Sequence, residues 1–231
     1  MKKNLLGLGL MLMVCGIAQA TIIETATIYC DADAGNYDAT AYQSTTFGNG
    51  GGWNLVPNKH KKGFLHFDLS SLAGKTITSV QLMVTVNWTQ SPVSNGYPVN
   101  VYTAAAAWDE STVDWIERMA GVNWTTAGGD LGTLVCSSGA LGNSNGVKII
   151  ASGDETTNNI LVQTVQNWAN GGANYGFIIQ NETVIASSQR AITDRETNPM
   201  ATSLVVSYEI PEPATLGLLV SGVLFMMRKK K

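Results

Sequence analysis

Two neighbouring stretches decide the fold: Gly63-Phe64-Leu65-His66-Phe67-Asp68-Leu69, and Ile77-Thr78-Ser79-Val80-Gln81-Leu82-Met83-Val84-Thr85-Val86-Asn87. In the second, Val80, Leu82, Val84 and Val86 alternate with Ser79, Gln81, Met83 and Thr85. In the first, Leu65, Phe67 and Leu69 alternate with Phe64, His66 and Asp68. Period two puts one set of side chains in a core and leaves the other face wetter. Similar short runs rich in β-branched residues recur at Thr25–Tyr29, Val99–Thr103, Val147–Ile150, Tyr175–Ile179 and Ser203–Glu209, with Gly, Asn, Ser and Asp between them. Many short strands with frequent turn residues predict an all-β sandwich or barrel. Helical spacing occurs once, over Asn158–Ala169, where Ile160, Leu161, Thr164, Val165 and Trp168 line one side before Gly171-Gly172. Phe47–Gly52 and Gly128–Asn145 read as irregular loops.

The two ends follow a different grammar. Lys2 and Lys3 precede an apolar run, Leu5–Ile17, and Ala18-Gln19-Ala20 supplies small residues at a cleavage site. That layout is a secretory signal peptide over 1–20. At the other end, Ile210-Pro211-Glu212-Pro213 is stiff and extended. An apolar stretch follows at 214–227, then a basic tail, Arg228-Lys229-Lys230-Lys231. Fourteen residues rising 1.5 Å each reach roughly 21 Å, short of a hydrocarbon core of about 30 Å. Pro211, Glu212 and Pro213, with the apolar run and the terminal basic residues, resemble the PEP-CTERM sorting signal of Gram-negative bacteria. The resemblance implies processing by an exosortase, transient anchoring in the inner membrane, and a final place at the cell surface or in an exopolysaccharide or biofilm matrix.

Residues 21–209 remain as one domain of a size that can bury a core. Six of the chain's 14 basic residues sit in the two ends, leaving eight; Glu212 alone of the 17 acidic residues lies outside, leaving 16 and a net charge of −8. Such a domain is a poor partner for nucleic acid, and polyanionic glycans are disfavoured.

Three ordered segments resemble the DNRLRE, or disaggregatase-related, domain. They are Gly63–Leu72 with Ile77–Leu82; Val99–Tyr102 with Trp108-Asp109-Glu110-Ser111-Thr112-Val113-Asp114-Trp115; and Val165–Gly171 with Asn174–Phe177, Asp194-Arg195-Glu196 and Leu204–Tyr208. The resemblance implies a jelly-roll β-sandwich found outside the cell, often beside polysaccharide-active enzymes, with carbohydrate binding in some members. The Asp194-Arg195-Glu196 motif then reads as an ion-pair corner. Trp108, Trp115 and Trp168 read as packing residues.

Several groups could carry chemistry. Sugar sites stack aromatic rings on pyranose faces and add sparse polar contacts. Trp53, Trp88 and Tyr97 are the stacking candidates, against capping the core edge. Asp31, Asp33 and Asp38 offer oxygens for a structural Ca²⁺, or form a solvated acidic loop. No other cofactor is expected. Cys30 and Cys136 could pair in an oxidising compartment or remain thiols. Asp109 with Glu110 and Asp194 with Glu196 are the local carboxylate pairs that glycoside hydrolysis would need. The expectation is a non-catalytic module that binds or organises extracellular polysaccharide. The competing readings are a structural matrix protein without a ligand, and a polysaccharide lyase or hydrolase.

Overall fold

The computed structural model describes residues 21–48, 52–56, 60–90, 97–181 and 188–211. The contacts divide the chain into a compact unit, Ile23–Glu209, and a second unit made of the ends, Met1–Ile22 and Ile210–Lys231. The signal-peptide reading, with Ala18 and Ala20, lies outside the described residues, as do Glu212, Pro213 and the rest of the tail; Pro211 ends the last strand. Among the described residues no helix is long and apolar enough to cross a membrane.

The strands are β1 (Thr21–Tyr29), β2 (Ala32–Tyr37), β3 (Trp53–Leu55), β4 (Lys61–His66), β5 (Thr76–Gln90), β6 (Pro98–Ala104), β7 (Glu117–Met119), β8 (Val122–Asn123), β9 (Leu131–Ala140), β10 (Gly146–Asp154), β11 (Phe177–Gln180), β12 (Gln189–Ile192) and β13 (Ser203–Pro211). Among the described residues the one α-helix, α1 (Asn159–Ala169), lies between β10 and β11. The first sheet runs β1-β13-β5-β12-β3, with β10 on the other edge of β5; the second runs β2-β4-β11-β6-β9. Successive strands mostly change sheet, as in a jelly roll, and the molecule is the β-sandwich that the sequence predicts. β5 is the spine. Its first half pairs with β13 and its second half with β12, while β10 pairs along Ser79–Val86. Val80, Leu82, Val84 and Val86 are buried, so the alternation read from sequence holds here.

In β4 it does not. Phe64 and Leu65, on opposite faces, are both fully buried. The reason is the excursion between β6 and β9, whose Val113 and Trp124 pack against the Phe64 side of the second sheet. Trp124 stacks on Phe64 at 5.5 Å, and Val113, Ala104, Ala34 and Ile178 complete a second core, with Trp108 packed against it. The stretch 128–145, expected to be irregular, contains β9, which closes the edge of this sheet.

Helix α1 is the predicted one. Leu161, Val162, Val165, Trp168 and Ala169 face inward, and Gly171 follows with φ +90°, a backbone state that halts a helix at little cost only in glycine. Gln166 ties the helix to β5: its Oε1 accepts from Ile77 N at 2.8 Å and its Nε2 donates to Lys75 O at 3.0 Å.

Trp53, expected in a polar loop, is buried in β3 at 2% exposure. Its indole meets the second sheet where Gly35 of β2 and Gly63 of β4 stand opposite each other. A Cβ on Gly63 would lie 2.1 Å from the indole Cζ3, and one on Gly35 would lie 2.6 Å from the Trp53 Cβ. Trp53 Nε1 donates to Asp33 Oδ2 at 3.0 Å. Asp33 Oδ1 accepts from Arg195 N at 3.2 Å, and Asp33 N donates to Glu110 Oε1 at 2.7 Å. The Arg195 guanidinium bridges Glu110 and Glu196, each at 2.7 Å. Trp53 therefore has no open face for a sugar, and Asp33 is a β2 residue inside the sandwich.

The remaining aspartates separate from it. Asp31 pairs with His66 before β2, and Asp38 pairs with His60 beyond its far end. Among the described residues, the carboxylates that converge are Asp33, Glu110 and Glu196, with ligand atoms within 4.8 Å of one another, and Arg195 is bonded to all three residues. Cys30 and Cys136 are both free. The Cys30 thiol is buried and donates to Ala32 O at 3.0 Å, while Cys136 lies on β9 of the second sheet.

Two outcomes follow. Gly63→Ala should cost about 1–3 kcal/mol by overpacking, and in a Trp53→Ala background the same change should be nearly neutral. Urea unfolding of the double-mutant cycle measures this, and an equal cost in both backgrounds would refute the notch. Second, burial pushes the Asp33 carboxyl up from 3.8 to about 6. The folded state then holds a proton that the unfolded state has lost, so this group favours folding below about pH 4 and that contribution disappears as pH rises through about 6. Wild type should lose on the order of 2–3 kcal/mol relative to Asp33→Asn across that window, read from denaturation at pH 4 and pH 7.

Candidate functional site

A groove of about 720 Å³ opens beside the end of β4 and the end of α1. Four pieces of chain meet there: Asp31 between β1 and β2; His66 at the end of β4 with the turn Asp68-Leu69-Ser70 after it; Ala73 and Gly74; and the end of α1 with Asn170, Gly171 and Asn174. Each is fixed locally. Asp31 N donates to His66 O at 3.1 Å, which holds the β1–β2 corner against β4. Asp68 Oδ1 accepts from Ser70 N at 2.9 Å, an Asx turn that starts the short 3-10 helix Ser70–Leu72. Asn174 Nδ2 donates to Phe67 O at 2.8 Å and its Oδ1 accepts from Gly176 N at 3.0 Å, so this residue pins the α1–β11 connection to the β4 exit.

The floor is apolar. Leu69 and Trp168 are buried, and the Trp168 ring packs on Phe177 at 4.8 Å. The rim is polar: Asp31, Asp68, Ser70 and Asn170 are exposed, and His66 and Asn174 are half-buried. His66 Nδ1 sits 2.7 Å from Asp31 Oδ1. The Asp31 carboxylate, with an added bond to the Asn174 backbone, raises the imidazole's proton affinity against the opposing effect of burial. The bonds to Ser70 hold the Asp68 carboxyl below the usual range. The His66 Nδ1 is engaged by Asp31. The groove is built to hold polar groups over an apolar floor.

The sequence-derived stacking residues do not assemble. Tyr97 is buried, its ring under the Arg190 guanidinium at 4.6 Å and its hydroxyl 3.5 Å from Ser188 O. Burial pushes its phenol pKa up. Trp88 keeps an open ring, 47% exposed, near the end of β5 opposite Ala191. Beside it, Asn145 donates to Asn87 O at 2.7 Å and accepts from Thr89 at 3.2 Å. The carboxylate pairs weighed for hydrolysis are committed to structure. Asp109 caps Ser111 and Thr112, Asp194 accepts from Gly52 N and Thr197 N, and Glu110 and Glu196 bind Arg195. The groove residues Asp68, Ser70, Asn170 and Asn174 lie in segments that the family resemblance covers, but the sequence reading did not single them out as site residues.

No curated protein matches the chain. The model of carbohydrate-binding module family 96 matches residues 24–127, a span that holds Asp31, His66, Asp68 and Ser70 but ends before α1. That similarity is to a carbohydrate-binding, non-catalytic module.

Proposed function

We propose that this is an exported surface or matrix protein whose compact unit binds extracellular polysaccharide without cleaving it, with the groove over Leu69 and Trp168 as the site. The observation that carries the reading is the groove itself: an open cleft with an apolar floor and a polar rim, the general form of a ligand site. The match to a carbohydrate-binding family narrows the ligand to a glycan. Export through the N-terminal signal, exosortase processing at Pro211-Glu212-Pro213, transient inner-membrane anchoring and delivery to a biofilm matrix are supported by the sequence of the two ends. One observation favours a second site for the same function: the exposed Trp88 ring with the Asn87–Asn145 pair beside it.

Calorimetric titration with a panel of polysaccharides separates these readings. Replacing Ser70 and Asn170 together by alanine should weaken glycan binding about tenfold, the loss of two hydrogen bonds of about 0.5–1.5 kcal/mol each. Trp88→Ala should leave it unchanged. The reverse pattern would move the site to Trp88. Release of reducing ends or unsaturated sugars from a bound polymer would overturn the non-catalytic reading.

A further inference from the structure

β1 presents a bare strand edge. Among the described residues it ends the first sheet, with β13 on one side and no strand on the other. Three other sheet margins are blunted. β3 is three residues long, the Gly35 amide of β2 donates to Phe47 O at 3.4 Å, and Ser152 O of β10 accepts from Asn158 Nδ2 at 3.1 Å. β1 lacks the usual guards: residues 23–29, Ile-Glu-Thr-Ala-Thr-Ile-Tyr, hold no lysine, arginine, proline or glycine. Their one charge, Glu24, accepts from the Tyr208 hydroxyl at 3.1 Å. Just past the strand, Cys30 N donates to Thr202 O at 3.0 Å, toward β13. Successive residues of a strand turn their amide and carbonyl to opposite sides. Those of Ile23, Thr25, Thr27 and Tyr29 therefore point to the open edge. The same four side chains share one face. Thr25 Oγ1 meets Ser207 Oγ there at 3.1 Å, and all four are exposed, Ile23 at 54% and Tyr29 at 44%.

We infer that this edge pairs with β1 of a second copy of the chain, antiparallel about a two-fold axis at Ala26. Such a contact must be complementary to itself, and this register is. It sets Ile23 against the partner's Tyr29, Thr25 against the partner's Thr27, and Ala26 against the partner's Ala26. The pairs that point their backbone to the open edge exchange two hydrogen bonds each, about eight in all. Aliphatic–aromatic and Thr–Thr pairs are among the cross-strand contacts that stabilise a sheet. Glu24 falls opposite the partner's Ile28, so no like charges meet. An axis at Thr25 would instead set Ile23 against the partner's Thr27 and lose the contact with tyrosine. Residues 21–209 carry a net −8, so two copies repel at low salt. A strand edge alone is also a small interface, and the dimer is reversible, with a dissociation constant on the order of 100 µM. The pairing does not depend on what the groove binds. It would double the number of grooves on one particle, the multivalency by which a weak binder holds a polymer.

Analytical sedimentation of the full chain tests the pairing, with detergent micelles in excess over protein so that the apolar stretches 5–17 and 214–227 do not join copies. Wild type should pass from monomer to dimer between about 10 µM and 1 mM, and added salt should tighten the dimer by screening the two acidic domains. Thr25→Lys combined with Thr27→Lys sets lysine against lysine at both inner pairs and should abolish it. Thr25→Lys combined with Thr27→Glu sets lysine against glutamate at the same pairs and should keep the dimer at least as tight as wild type. That retention also shows that the substituted strand still folds. Wild type that stays monomeric across this range would overturn the second copy as the occupant of the edge. A dimer that survives the double lysine variant would place the contact elsewhere and overturn the role of β1. Loss of the dimer in both variants, each with the wild-type urea midpoint, would overturn the axis at Ala26.

Discussion

The indole of Trp53 occupies space that only glycine leaves free. Gly35 and Gly63 face each other across β2 and β4, and the ring enters the gap their missing side chains create. A large ring closing against backbone gives dense packing between the sheets, where voids are costly. Its one polar atom still requires a partner, and Asp33 supplies it. Asp33 in turn is a buried carboxyl, tolerable because Arg195 N also donates to it and the Arg195 side chain links Glu110 and Glu196 nearby. One packing decision thus propagates into a polar corner joining β2, β3 and the segments around Glu110 and Arg195.

The same corner shows why part of the fold was legible and part was not. β5 could be read directly, because a fifteen-residue strand with one buried face writes period two into its own sequence. Helix α1 could be read for the same reason at helical period. β2, with the sequence Ala-Asp-Ala-Gly-Asn-Tyr, has almost no apolar signal. Its strand character comes from what packs on it, and locally it resembles a loop that could take a cation. β3 is only three residues long and follows glycines. β4 was legible as a strand but not as a doubly covered one, because Phe64 is buried by Trp124 and Val113, far along the chain. Pattern within an element survives translation into structure; partners between elements do not announce themselves.

The family resemblance implied an ion-pair corner at Asp194-Arg195-Glu196; Arg195 does pair with Glu196, while Asp194 accepts from Gly52 N and Thr197 N instead. What sequence could not supply was the identity of the other partners, Glu110 and Asp33, which topology brings in. The aromatic candidates failed for a related reason. Tryptophan and tyrosine between polar residues look exposed, yet Trp53 and Tyr97 each found a polar partner inside, an aspartate and an arginine with a backbone carbonyl. Of the three, only Trp88, near the end of β5, keeps its side chain exposed.

The groove is the least local feature of all. Its two walls come from the exit of β4 and the exit of α1, about a hundred residues apart, and the link is a few backbone-directed bonds: Asp31 N to His66 O, and Asn174 to Phe67 O. The bonds between Asp68 and Ser70 stay within the local turn, so these two rim residues do not hold the walls together, whereas Asp31 also binds His66 across them. Asp68 and Ser70 can change without dissolving the sandwich. The packing of Trp168 on Phe177 sets the floor independently of them. A scaffold fixed by main chain and aromatic packing, with a rim of exchangeable polar groups, is the arrangement in which ligand specificity can drift while the fold stays put. In this chain the rim carries Asp31 and Asp68, and residues 21–209 around it are acidic as well, at a net −8.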